Sequence, residues 1–289
     1  MVIRAALVVL LTAGCGGGAR PATRPEQDTV ASSMRELETR CARGEGQACH
    51  LASEVLKVGA PGVPKDPARA VVLRERGSDL IYDACMVRRD PDLDACRLLV
   101  VSVKLAFAHT TDPAERGKLT TAFVNAGTHS CHAGDFETCI DVAAVFHEGQ
   151  GVPVDQARAR ELVGFACTRD HQPACIQLAL ALVNHPTDAR DRERAGALLE
   201  AACTKSDADG CEMLATYRLS EGPGAAAGSR EAARRSCELG DAGGCAIYGH
   251  TLLDAIGGPA DPTGARTAFE TACRGKDPRG CQMIGQSPP

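Results

Sequence analysis

The chain has 289 residues, enough for two ordinary domains or one elongated array, and a mild net charge of −5. No run of Lys or Arg stands out, so nucleic-acid binding is not indicated. With no Trp, three Tyr and six Phe, the core must rest on small side chains, which bury little area each and call for close contacts or covalent help.

The first element is the N-terminal "MVIRAALVVLLTAGC". Arg4 precedes an apolar run over residues 5–11 that is too short to span a bilayer, and small residues lead to Cys15. "LTAGC" resembles the lipobox of bacterial lipoproteins. That resemblance implies removal of residues 1–14 as a signal peptide and lipidation of Cys15. The Gly-, Pro- and charge-rich residues 15–28 read as a flexible tether, and residues 29–289 as the folded part.

The other fourteen cysteines form seven sequential brackets: Cys41/Cys49, Cys85/Cys96, Cys131/Cys139, Cys167/Cys175, Cys203/Cys211, Cys237/Cys245 and Cys273/Cys281. In an exported chain they read as disulfides. Zinc sites use tighter spacing, the histidines show no matching period, and no C-x-x-C redox motif recurs, so no metal or cofactor is expected. A bridge closing a loop of this size contributes about 2.5 kcal/mol in the chain-entropy model.

Between brackets, helical periodicity repeats. "DQARARELVGFAC" places Ala159, Leu162, Val163 and Ala166 on one face, with Asp155 as N-cap. Asp66, Asp112, Asp191 and Asp261 occupy the same register, and Pro67, Pro113 and Pro262 suit a first helical position. A second, shorter helix follows each bracket. Its fourth residue after the cysteine is usually small (Ser53, Ala143, Ala179, Ala215, Gly249, Gly285), which permits close backbone approach. The unit is therefore helix A, turn, helix B, with the bracket joining B to the next A. Asp66 to Cys85 and Asp112 to Cys131 are nineteen residues apart, against twelve for Asp155 to Cys167. Two early B helices should thus be longer by about two turns, keeping the cysteine on its face and raising a ridge near the tether. "SEGPGAAAGSREAARRSC" lacks the usual turn, predicting a short B helix from about Ser229, and "VNHPTDARD" also departs from the turn pattern.

The segment "CIDVAAVFHEGQGVPVDQARARELVGFAC" resembles the Sel-one-like repeat family, relatives of the tetratricopeptide class, and the C-x7-C bracket resembles its cysteine-rich subgroup known from Helicobacter. The resemblance spans roughly residues 33–286. It implies an all-α, right-handed α-solenoid that acts as a binding scaffold, here with a protein partner in the cell envelope and the membrane reached through the lipid anchor. Exposed positions on the A helices, Asp141, His147, Glu212, Arg218 and His250, are the candidate binding residues. Some cysteine-rich members are described as penicillin-binding proteins or β-lactamases, which is the alternative. The chain has no S-x-x-K, S-D-N or K-T-G for a serine route and no H-E-x-x-H for a metal route, so an enzyme is not expected.

Overall fold

The computed structural model describes residues 24–285. The expected signal peptide and Cys15 lie outside the described residues. Helix α1 (Arg24–Ala42) begins inside the segment read as tether, so residues 24–28 are helical.

The chain divides into two compact units, meeting between Thr138 and Cys139. The first holds α1, α2 (Gly46–Val58), α3 (Pro67–Tyr82), α4 (Leu93–His109) and α5 (Pro113–His132), with α3 running on as a π-helical segment, Asp83–Val87. Helix α6 (Phe136–Glu148) begins at the division. The second unit continues with α7 (Gln156–Cys167), α8 (Gln172–Asn184), α9 (Asp191–Thr204), α10 (Ala208–Ser220), α11 (Ala226–Glu238), α12 (Ala242–Leu253), α13 (Pro262–Arg274) and α14 (Pro278–Met283). Consecutive helices pack on one another from α7 to α14, and α10, α12 and α14 also touch in sequence. This is the arrangement of an α-solenoid. Among the described residues there is no strand beyond an isolated bridge between Ala60 and Val63.

The brackets close as the spacing predicts. Cys41–Cys49, Cys85–Cys96, Cys167–Cys175, Cys203–Cys211, Cys237–Cys245 and Cys273–Cys281 are bridged, with Cα atoms 4.3 to 4.7 Å apart. Cys131 and Cys139 are disulfide-bonded as well. Each of these six bridges ties the end of a B helix to the first turn of the next A helix, so neighbouring helix pairs cannot slide.

Capping explains why the helices start where they do. Asp66, Asp112, Asp155 and Asp261 accept bonds from the backbone N–H of Arg69, Ala114, Arg158 and Gly264 at 3.0, 3.1, 2.9 and 2.9 Å. A second set of caps, which the sequence reading missed, lies inside the brackets four residues before the second cysteine. Asp92, Asp207 and Asp277 accept from Ala95, Gly210 and Arg279 N–H, each at 2.8 Å, and Asp241 accepts from Gly243 N–H at 3.2 Å. In the six brackets with seven intervening residues, though not in Cys85/Cys96, the backbone five residues before the second cysteine is left-handed, at Gly44, Gly134, Asp170, Ser206, Gly240 and Lys276. The bracket is therefore one fixed turn used repeatedly, not merely a spacing.

The small residues of the A helices meet the B helices closely. Ser53 Oγ donates to Ala70 O at 2.8 Å, and at the equivalent crossing Ser229 Oγ donates to Ala215 O at 2.8 Å, the hydroxyl coming from the opposite helix. A Cβ on Gly249 would come within 2.6 Å of the Phe269 ring. Gly285 lies beyond α14 and takes no part in such a crossing.

The two early B helices are long: α3 has 16 residues plus the 5 of the π-helical segment, and α5 has 20, against 12 to 14 for α7, α9, α11 and α13. Ala70 keeps the register counted from Asp66, and Gly77 keeps that counted from Cys85. Both are buried in α3, and a Cβ on Gly77 would lie 2.9 Å from Gly46 O of α2. Helix α5 packs on α4 and on the π-helical segment.

Three expectations are corrected. Helix α11 starts at Ala226 after a 3-10 turn, Pro223–Ala225, and has 13 residues, so it is not short. Ser229 sits in its interior, held by its bond to Ala215, and so cannot mark the start. The A helices are not generally shorter than the B helices, since α8 has 13 residues and α7 has 12. Asp191 does not cap α9: Arg190 is the N-cap residue and Asp191 is the first helical residue, with its carboxylate turned back to the preceding loop.

Candidate functional site

The turn "VNHPTDARD" replaces the Gly-rich turn of other repeats, and Asp191 organises it. The carboxylate is fully buried. It accepts from Thr187 N–H at 2.6 Å, Thr187 Oγ1 at 2.9 Å and Asp188 N–H at 3.4 Å. Arg160 Nη1 and Arg194 Nη1 reach its two oxygens at 3.3 and 3.1 Å. The Thr187 backbone N–H above all holds the Asp191 carboxyl below the usual carboxylate range; burial opposes this, and the Thr187 hydroxyl and Arg160 assist. Arg160 also donates to Thr187 Oγ1 at 3.0 Å and to His185 O.

A groove of about 840 Å³ opens beside this cluster. Its walls are α7, through Gln156, Arg160, Glu161 and Gly164, with Thr168 just past its end, and the turn and α9, through His185, Thr187 and Arg194, with Leu178 of α8 also lining it. That size suits a peptide segment or a small ligand. On the other side of Gln156 a smaller groove of about 380 Å³ runs between α6, α7 and α8, lined by Ala143, His147, Gln177 and Ala181 among others. Gln156 joins the two: His147 Nδ1–H donates to its Oε1 at 2.8 Å, and its Nε2 donates to His147 O at 3.2 Å. The His147 and His185 rings meet edge to face, 5.6 Å between centroids.

Of the five candidate binding residues, only His147 borders these grooves. Asp141 is exposed on the same helix. Glu212 and Arg218 lie on α10 but answer to different partners. Arg279 Nη2 of α14 reaches Glu212 at 3.4 Å, and burial, reinforced by Asp241, pushes the Glu212 carboxyl up against the opposing effect of Arg279. Arg218 ties three helices by donating to Glu200 of α9 and to Gly228 O of α11, the latter at 3.1 Å. His250 is half-buried and stacks edge-on against Phe269, 5.1 Å between centroids. The five do not converge. The groove residues Arg160, Gly164, Thr187 and Arg194 were not singled out, and Asp191, buried behind them, was read only as a cap; the interrupted turn was the signal that pointed to them.

Among the described residues no group of three His, Cys, Asp or Glu side chains is placed to hold a metal, and no helix is long and apolar enough to cross a membrane.

No family model and no curated protein matches the chain. Solved structures do. A protective antigen of uropathogenic Escherichia coli strains, described as displaying an SLR fold, superposes with a TM-score of 0.60 at 17% identity over 89% of this chain. The chain spans about half of that antigen, 53% of its length. A Sel1 repeat protein from Oxalobacter formigenes aligns with 98% of this chain and 86% of its own length at 16% identity and a TM-score of 0.47. The fold is thus that of Sel-one-like repeat proteins.

Proposed function

We propose that this chain, with its Sel-one-like fold, is an exported, lipid-anchored scaffold that binds another protein of the cell envelope. The observation that carries the reading is the bridged repeat itself: fourteen cysteines in disulfides suit an oxidising compartment, and they fix a row of helix pairs whose outer faces remain available. Such an array offers grooves between helices rather than a single enclosed cavity, which fits recognition of a polypeptide better than turnover of a small substrate. "LTAGC" supports the anchor, since a lipidated cysteine at that place holds a protein to a membrane. Cys15→Ala should move the protein from the membrane to the soluble fraction; retention in the membrane would refute the anchor. A pull-down from cross-linked envelope, with the full-length protein as bait, should recover a partner reproducibly. Recovery of none would remove the scaffold reading.

A further inference from the structure

The groove between α7 and α9 has a wall with more positive charge than it neutralises. Arg160 and Arg194 share one carboxylate, that of Asp191. Glu161, which lines the groove itself, is engaged by Arg158 Nη1 at 3.0 Å. Arg194 meets Asp191 through Nη1 and keeps 59% of its side chain exposed. Arg160 is held in place by Thr187 and His185, and its buried Nε has no hydrogen-bond partner among the described residues. A guanidinium pair immobilised on a buried acid is pre-organised for a second carboxylate, because its side-chain ordering is complete before the ligand arrives.

Gly164 adds a separate argument. It lies inside α7 and lines the groove, yet a Cβ there would meet nothing within 4 Å. No packing contact demands glycine, and glycine in a helix interior is destabilising relative to alanine. What its missing side chain does provide is room in the groove.

We propose that the groove receives an extended acidic segment of a partner protein, one side-chain carboxylate seated against Arg194 and Arg160 and the neighbouring backbone passing over Gly164 and Leu178. This rests on the scaffold reading and assigns it a place and a chemistry. Charge complementarity decides the class of ligand, and the groove's volume of about 840 Å³ accommodates a short extended segment.

The test uses the oxidised full chain and two labelled hexapeptide pools, acetylated and amidated so that no terminal charge remains. All positions are drawn from uncharged residues except a central Glu in one pool and a central Gln in the other. Fluorescence anisotropy should show the Glu pool binding about ten- to hundredfold more tightly, as a charge-assisted bond implies. Arg194→Gln and Gly164→Leu should each abolish that preference while the helical circular dichroism and melting temperature hold. Equal binding of the two pools, or binding of neither, overturns the proposal; so does a preference that survives Gly164→Leu in a folded protein. Should Gly164→Leu fail to fold, the exposed Arg194→Gln decides alone. A pull-down partner recovered equally by both variants would sink the groove and leave the scaffold standing. Recovery of no partner would sink the scaffold, with the peptide pools still deciding the groove.

Discussion

The bracket turn carries its conformational cost at single residues. Ser206 and Lys276 stand at left-handed positions with φ of 64° and 69°, where Gly44, Gly134 and Gly240 stand in sister repeats. A side chain there costs about 1–2 kcal/mol, and glycine returns part of the gain through its freer unfolded chain. Ser206→Gly and Lys276→Gly should each stabilise the protein by about 0.5–1 kcal/mol in urea unfolding, and a loss of stability would contradict the shared turn. Asp191 makes a different prediction. Its folded pKa is depressed, first by the Thr187 N–H, so its contribution is present above the ordinary carboxylate range and lost as pH falls through the depressed value. Asp191→Asn should lower the urea midpoint at neutral pH and flatten the acid side of the stability profile. An unchanged slope below the carboxylate range would show that the turn does not depend on that charge.

At the scale of the element, the long helix α3 shows how a repeat tolerates insertion. Ala70 and Gly77 stand seven residues apart, close to two turns, and both are buried in α3, Ala70 beneath Ser53 and Gly77 beside Gly46. The segment between them adds about 10 Å of helix without rotating Cys85 away from Cys96. Val72 on this stretch is 61% exposed, and the core splits into one cluster from Met34 to Ala70 and another from Ile81 to Cys96. Deleting residues 71–77 should therefore leave a folded protein in which peptide mapping still finds Cys85 joined to Cys96. Free thiols at those two positions would show that the extra turns are required to align the bracket. If the ridge shapes the partner site, the same deletion weakens partner recovery in the pull-down.

At the scale of the whole molecule, the two units are each held by local contacts and short bridges, so stability accumulates pair by pair. The chemistry of the chain points the same way. No serine nucleophile motif is present in the sequence, and Arg218 and Arg279 are tied into helix-to-helix contacts. Pure, oxidised protein should give no nitrocefin hydrolysis above buffer. Turnover that persists through re-purification and disappears on replacing a single Ser or His would establish an enzyme.

The sequence by itself determined the repeat, the helix pairs, the cysteine pairing of the six bridges described and the two long B helices. Each of these depends on spacing along the chain: a helix has a fixed period, a capping Asp acts within three residues, and a short bracket leaves a cysteine one partner within reach. Only the tertiary structure decided where Arg160, Asp191 and Arg194 meet, because they come from two B helices, Arg160 and Asp191 being 31 residues apart in sequence, and they come together only once α7 and α9 are in place. It also decided that Asp191, identical in register to four capping residues, serves the preceding loop instead. Register fixes which residue begins a helix to within a position; which way its carboxylate turns depends on the donors that packing brings near, and here Thr187 and Arg160 supply them.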